Sequence, residues 1–128
     1  MTGEIDLSVL LKSMSPTVRP GEFVFVSLPA EPPTDVTVHA LVREAEGMTV
    51  VLDRADADRL GLNYDFVAGW ITLEVHSALE AVGLTAAFSA ALSEVGVSCN
   101  VLAGYFHDHI LVDIEDVDTA LSALGRIG

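Results

Sequence analysis

Basic residues are scarce in this chain, which has six Lys and Arg against 19 Asp and Glu and a formal net charge of −13. An electric field of this sign repels the phosphate backbone of nucleic acids and the anionic surface of membranes. The composition therefore argues against nucleic acids and membrane surfaces as partners.

Cysteine is almost absent as well. Cys99 is the only one in 128 residues, which excludes an intramolecular disulfide and is typical of a reducing compartment. It lies in an apolar alternating pattern, where a thiol stays neutral, so we expect a small buried side chain rather than a nucleophile. The chain also lacks a signal peptide and any run of about 20 apolar residues that could span a bilayer. These absences predict a soluble cytoplasmic protein.

Familiar catalytic motifs are missing too. The chain has no glycine-rich phosphate loop followed by Lys, no paired-cysteine zinc pattern and no nucleophile elbow. The acidic run 113–118 lacks the glycine and the spaced glutamate of a calcium loop, and a strand that leads into a helix explains it as well. We therefore predict a protein that is not an enzyme and that needs no cofactor.

The chain does contain an ordered hydrophobic pattern, built from 51% hydrophobic residues. The first half predicts helix, strand, strand, strand and short helix at residues 5–14, 22–28, 36–43, 48–53 and 54–60. The second half predicts strand, helix, strand, strand and helix at 70–76, 84–95, 97–102, 109–114 and 117–124. In the longer helix, apolar residues recur at helical spacing and form one stripe that can cover a sheet.

The second half is one strand short of a βαββαβ unit, because its last helix is not followed by a strand. The N-terminal strand at 23–28, apolar on both faces, is the natural donor of the missing edge. The sequence therefore predicts an α+β, ferredoxin-like fold of two interleaved halves, 1–61 and 62–128, which exchange a strand and form one globule.

Several segments resemble the small bacterial ACT-domain proteins. They are the runs Ser77–Ala87, Val97–Val101, Ala103–Ile110 and Glu44–Thr49. The resemblance implies a pair of ACT-like modules in one chain, similar to the ACT modules of the Castor arginine sensors. It also implies that an amino acid or a related effector binds where the first strand turns into the first helix, often at an interface between modules.

Carried over to this chain, the resemblance places the turn at Gly83, Leu84 and Thr85, with Asn100 on the facing strand. The chemistry agrees, because Gly83 allows a close approach and the N–H groups after it can take a carboxylate. The Asn100 amide offers both a donor and an acceptor. An amino group would need an acceptor, and Glu80 is the nearest carboxylate in sequence.

A purely structural interpretation of the same residues stays open. Ser77 and Glu80 could form a capping box on a helix that starts earlier. Gly83 would then only relieve crowding, and Asn100 would fix a turn.

The His107-Asp108-His109 run is the other candidate site. On a strand His107 and His109 share a face, together with Asp113, so they could bind a divalent metal. Asp113 lies roughly 13 Å along the strand from His109, however, so a third ligand would have to be His76 or Glu74. We favour the alternative, in which these polar residues form hydrogen bonds across a turn or to the other half.

These observations predict a regulatory protein that binds an amino-acid-like effector at the Gly83 turn, between the two halves, and acts in trans. A homodimer is expected through the face that carries Trp70, Thr72 and His76. The first alternative is a protein-interaction module without a small ligand. The second is a metal-dependent enzyme that uses His107 and His109.

Overall fold

The structure, a computed structural model, describes residues 6, 9, 14–74 and 82–127. The described elements are, in order, β1 (Pro16–Leu28), β2 (Val38–Glu44), β3 (Gly47–Asp53), α1 (Arg54–Arg59), β4 (Val67–Leu73), α2 (Leu84–Glu94), β5 (Asn100–Ala103), β6 (Asp108–Asp113), a 3₁₀ turn (Ile114–Asp116) and α3 (Val117–Gly125). The helix predicted within 5–14 lies almost entirely outside the described residues.

The chain divides into two compact units. Unit 1 comprises Met1–Pro20 and Gly69–Gly128, and unit 2 comprises Gly21–Ala68. Strand β1 begins in unit 1 and ends in unit 2, whereas β4 begins in unit 2 and ends in unit 1. The division into halves 1–61 and 62–128 stays a prediction, because compact units need not coincide with sequence modules.

Unit 1 has the strand order β1-β4-β6-β5. Counted from β4, this is the order of a βαββαβ unit in which β1 stands where the last strand belongs. Helices α2 and α3 pack on one face of these strands. Their shared core consists of Ile71, Leu73, Leu84, Phe88, Leu92, Val97, Ile110, Val112, Ala120, Ala123 and Leu124. The α+β, ferredoxin-like prediction is confirmed.

The donated strand is longer than predicted. It begins at Pro16 rather than at Glu22, and its first residues, Pro16–Pro20, belong to unit 1. The segment Phe23–Leu28, which was predicted to be the donor, pairs with β3 in unit 2. Pro16 and Pro20 made the beginning of this strand resemble a loop in the sequence. Proline is accepted in edge strands but is rare in central ones.

Unit 2 is built on the strand order β2-β3-β1. The β2–β3 hairpin turns at Ala45-Glu46, with Gly47 opposite Glu44. The core of unit 2 consists of Val24, Val26, Leu28, Val50, Leu52 and Ala57. Strand β1 supplies three of these residues, at alternate positions, as one face of a strand must.

The α2 stripe is confirmed in its central residues. Leu84, Phe88 and Leu92 are fully buried at a spacing of four, whereas Val95, the last residue of the helix predicted at 84–95, lies beyond the end of the helix and is exposed. Val97 and the partly buried Cys99 and Val101 pack on the core, as predicted, although β5 begins only at Asn100. None of the helices in the described ranges has the length and apolar character that a bilayer crossing requires.

Gly69 lies close against the first residue of α3. A Cβ atom at this position would lie 2.3 Å from Cγ2 of Val117. We expect Gly69→Ala to lower the free energy of unfolding by about 1–3 kcal/mol, because the packed α3 must shift. Urea denaturation measures this loss.

The double variant and a second glycine provide the controls. Val117→Ala removes the clashing methyl group, so Gly69→Ala should be less costly in that background. At Gly125, a Cβ would meet nothing within 4 Å, so Gly125→Ala should be neutral or slightly stabilising. An equal loss at Gly69 with and without the Val117 methyl group would contradict this explanation.

Candidate functional site

Helix α2 begins at a bare turn, which we call the Gly83 turn and define as Gly83, Leu84 and Thr85. Gly83 has a φ of 99°, in the left-handed region, and none of the described side chains caps this end of the helix. The first helical bond joins the N–H of Ala87 to the carbonyl of Gly83. The N–H groups of the first turn therefore precede the helical ladder and can bind an anion.

The side chains of the turn differ in their surroundings. Leu84 is buried in the core of unit 1, and Thr85 is exposed. Val82, directly before the turn, is 83% exposed. Glu80, the predicted acceptor for an amino group, and Ser77 lie outside the described residues.

Asn100 lies at the other end of α2. The N–H of Val97 donates to the carbonyl of Leu92 in the last turn of the helix, at 2.9 Å, and β5 then starts at Asn100. Gly83 precedes the first turn of α2 and Asn100 follows its last, so the length of the helix, about 16 Å, separates them. The Asn100 amide donates to the main-chain carbonyl of Leu111 at 3.2 Å.

Asp108 belongs to the predicted His107-Asp108-His109 run, but the sequence analysis gave it no role of its own. It is 9% exposed and is the one buried charged residue among those that the structure describes. It precedes Ile110 and Val112 by two and four positions in β6, so it lies on the strand face that α2 and α3 cover. A carboxylate at the same parity as two core residues was the signal in the sequence.

Asp108 and the Gly83 turn lie toward the same end of unit 1. In the β5–β6 ladder Asn100 pairs with Leu111, whereas Asp108 pairs with Ala103, at the opposite end from the last turn of α2. The end of β4 lies there as well, because the Glu74 carboxylate is 3.9 Å from His107. Because the last turn of α2 lies near Asn100, at the other end of the ladder, the first turn of the helix lies toward the end at which Asp108 is found.

Burial governs the ionisation of Asp108. Removal from solvent raises the pKa of its carboxyl group, and the neighbouring His107 partly offsets this effect. A carboxylate under such conditions gains most from a cationic partner. The Asp108 oxygens are not among the buried polar atoms that lack a hydrogen-bond partner, which in the described part of the chain comprise only Nδ1 of His107.

The opposite face of the same strands carries a different group of residues. The indole N–H of Trp70 donates to Nδ1 of His109 at 3.2 Å, and the Thr72 hydroxyl lies 3.0 Å from the same nitrogen. An indole N–H can only donate, so Nδ1 is the acceptor and the neutral ring carries its proton on Nε2. If Nδ1 carried a proton, its N–H and the indole N–H would be two donors that face each other without an acceptor.

The surroundings of His109 also lower its pKa on balance. Burial lowers the pKa of His109, Arg19 and His107 lower it further, and Glu74 opposes them. The Arg19 guanidinium lies 4.0 Å from the centre of the Trp70 ring, in a cation–π contact. These contacts favour a neutral imidazole.

Trp70 does not offer the dimerisation surface that was predicted. Its side chain is 2% exposed, because Arg19 and His109 pack against the indole. Thr72 is engaged with His109, and His76, the third residue of the predicted face, lies outside the described residues.

The metal hypothesis finds no complete ligand set. The side chains of His107 and His109 do lie on one face of the sheet, the face that carries Trp70. Nδ1 of His109, however, already accepts a hydrogen bond from Trp70, and the nearest carboxylate oxygen of Glu74 is 3.9 Å from His107. Asp113 accepts the N–H of Glu115 and caps the 3₁₀ turn. Within residues 14–74 and 82–127, no three His, Cys, Asp or Glu side chains are arranged to hold a metal ion.

Cys99 has the environment that was predicted for it. Burial raises the pKa of its thiol, which favours the neutral form. The side chain packs partly against the core of unit 1. This environment is that of an inert packing residue, not of a nucleophile.

Unit 2 contains a separate pocket of about 560 Å³, lined by Gly21, Glu22, Asp53, Arg54, Ala55 and Asp58. Arg54, the one cationic residue among these lining residues, already has hydrogen-bond partners. Arg54 donates to Tyr64 at 2.9 Å and to Glu22 at 3.1 Å, and these bonds raise the pKa of the guanidinium. Tyr64 donates in turn to Asp58. We therefore interpret this network as structural.

Comparison with known proteins identifies similarities over the whole chain. Residues 2–69 match one family model described as an ACT domain, and residues 65–126 match a second one. A protein of unknown function from Vibrio cholerae, described as a possible transport protein, is 47% identical, with a TM-score of 0.84 over 93% of both chains. No curated protein matches the chain in sequence.

More distant structures share the fold. The regulatory subunit of aspartate kinase from Thermus thermophilus, in its ligand-free form, has a TM-score of 0.65 at 9% identity, over 89% of this chain and 97% of that one. The alpha and beta subunits of an aspartokinase have a TM-score of 0.64 at 13% identity, over 88% and 95%. The predicted resemblance to tandem ACT proteins is confirmed.

The His109 environment predicts a pH dependence of stability. Its folded pKa lies below the ordinary value of 6.5, so below that pH the unfolded chain takes up a proton that the folded chain resists. The stability that this histidine contributes is fully present above pH 6.5 and is lost as the pH falls toward the folded pKa. Urea denaturation from about pH 7.5 to pH 5 should show this decline, by up to about 1.4 kcal/mol per pH unit.

His109→Asn isolates the contribution, because its amide oxygen can still accept the Trp70 bond but does not titrate. We expect a flatter pH profile than in the wild type, whereas Thr72→Val, which keeps the imidazole, should retain the slope. Parallel profiles for the wild type and His109→Asn would show that another group is responsible.

Proposed function

The chain belongs to the ACT domain family, and on that premise we propose that it is a non-enzymatic regulatory protein that binds an amino acid or a similar small effector at the Gly83 turn. The observation that carries this proposal is the start of α2, where a left-handed glycine precedes the first-turn N–H groups and none of the described side chains caps them. A carboxylate is the ligand group that such a helix end favours, through both hydrogen bonds and the helix dipole.

Two further observations support this proposal. Exposed Thr85 and Val82 flank the turn, so a small molecule can reach it from solvent. The structurally similar protein from Thermus thermophilus is described as the regulatory subunit of aspartate kinase in a ligand-free form. We transfer the same kind of role to this chain.

We further propose that the protein works as a homodimer in the cytoplasm. The effector would favour one arrangement of the protein by binding it more tightly than the alternative. Sedimentation equilibrium with and without effector measures the oligomeric state.

A second candidate function is a protein-interaction module without a small ligand. The observation that favours it is the tip of the β5–β6 hairpin, where Tyr105 and Phe106 are 64% and 59% exposed and contact each other edge to face. Exposed aromatic residues of this kind are common at the centre of protein interfaces.

Thermal unfolding in the presence of each proteinogenic amino acid tests the first proposal. A ligand that binds only the folded chain stabilises it by about 2.7 kcal/mol at a hundredfold excess over its Kd. Gly83→Ala should abolish this gain, because a Cβ at a φ of 99° strains the turn and displaces its N–H groups.

Gly96→Ala is the matched control. Gly96 also has a positive φ, of 75°, and follows the other end of α2, where a Cβ meets nothing within 4 Å. The variant should lose some stability of its own but keep the full ligand response. If no amino acid stabilises the wild type, or if both variants keep the response, the proposed site is wrong.

The second candidate makes a different prediction. Replacing Tyr105 and Phe106 by Ser should leave the melting temperature nearly unchanged, because both side chains are exposed. The variant should fail to retain a defined partner that the wild type retains at equal concentration. Retention of that partner by both proteins would rule out the hairpin tip as the contact surface.

A further inference from the structure

Unit 2 contains a second cavity, which has a volume of about 240 Å³ and shares no residue with the Gly83 turn. It is lined by Leu28, Pro29, Ala30, Glu31, Pro33, Leu60 and Leu62. Six of these seven residues are apolar, and Glu31 is the charged one. The cavity therefore combines a hydrophobic wall with a single carboxylate.

The cavity lies where unit 2 has no helix. In unit 1 two helices, α2 and α3, cover the sheet, whereas unit 2 has the six-residue α1. Strand β1 ends at Leu28, β2 begins at Val38, and residues 29–37, all of which the structure describes, form no helix. A layer with one short helix covers less of a sheet face. Space therefore remains between this loop and the residues that follow α1.

The backbone holds both walls of the cavity. On the helix side, the N–H of Leu62 donates to the carbonyl of Ala57 at 2.9 Å, as in the common turn that ends a helix, and Leu62 packs against the core of unit 2. The loop side contains the prolines Pro29, Pro32 and Pro33. Proline fixes φ, so the loop has few alternative conformations. A ligand would enter a largely preformed site, which favours binding.

The carboxylate of Glu31 is available at the rim. Its Oε1 lies 3.0 Å from the Arg43 guanidinium, and the two side chains are 69% and 66% exposed. An ion pair this exposed contributes little to stability, so its geometry can change. A carboxylate accepts hydrogen bonds at both oxygens. Glu31 can therefore bind a second cationic donor while it keeps Arg43.

We propose that this cavity binds a small primary aliphatic amine, whose alkyl chain contacts Leu60 and Leu62 and whose ammonium group binds Glu31. A cavity of about 150 Å³ can hold a benzene-sized molecule, so this larger one accepts a chain of roughly five or six carbons. The formal net charge of −13 favours a cation over an anion. The inference is independent of the proposed function, because every residue involved belongs to unit 2.

A homologous series of amines tests the apolar part of the site, by NMR titration of the isotope-labelled full chain. Such amines carry an ammonium group at neutral pH. From propylamine to pentylamine, the Kd should fall about fourfold for each added CH₂ group, the burial of one CH₂ converted into a ratio of affinities. The amide signals of Leu60 and Leu62 should shift. This gain should cease in octylamine, whose chain exceeds the cavity.

Pentylamine, pentanol and pentanoate test the head group at equal chain length. The wild type should bind the amine about threefold more tightly than the alcohol, as an exposed ion pair provides, and the carboxylate most weakly. Glu31→Gln should bind amine and alcohol alike. Glu46→Gln is the matched control, because it removes the same charge from the exposed β2–β3 turn, and it should keep the wild-type preference.

Ala30→Leu tests the cavity itself, because the added side chain occupies part of it. The Kd of pentylamine should rise at least about tenfold, whereas Ala45→Leu, at an exposed alanine outside the cavity, should leave it unchanged. Both alanines are exposed, so the amide spectra should show folded chains. Unchanged binding by Ala30→Leu, or no binding by the wild type, overturns the site. Equal wild-type affinity for amine and alcohol, or a preference that survives Glu31→Gln, overturns the assignment of an amine.

Discussion

The continuous backbone of β1 is the constraint on which the rest of the structure depends. Its first residues, Pro16–Pro20, provide an edge strand for unit 1, and Phe23–Leu28 pairs with β3 in unit 2. Neither α+β unit has its full set of strands without this segment. A backbone ladder of this kind is specified by register and by alternate side chains, so a slip of one residue would turn the buried face of β1 outward.

Strand β6 separates two kinds of chemistry by simple alternation. Asp108, Ile110 and Val112 face the helices, whereas His107 and His109 face the side of β4 that carries Trp70. The three residues of the His-Asp-His run thus serve two different environments. The imidazole of His109 completes a hydrogen-bonded group around an indole, and the carboxyl group lies toward the end of the sheet where α2 begins.

Much of this fold could be predicted from periodicity, because burial repeats every two residues in strands and nearly every four in helices. That is why α2, β3 and β6 were located to within a few residues. The beginning of β1 was missed because Pro16 and Pro20 read as loop signals, although both are tolerated in an edge strand. Of the predicted site residues, Gly83, Leu84 and Thr85 are adjacent by necessity. Asn100 was assigned by analogy, although the helix predicted at 84–95 already separates it from the turn.

Trp70 is the only tryptophan of the chain, and its surroundings give it a use as an intrinsic reporter. Its indole is enclosed by Arg19 and His109 on the face of β4 that does not carry the core of unit 1. The ultraviolet emission of the protein therefore comes from one known place, and it is sensitive to the charge of a neighbouring imidazole. An emission change on addition of a small molecule would report a disturbance carried across the thickness of the sheet.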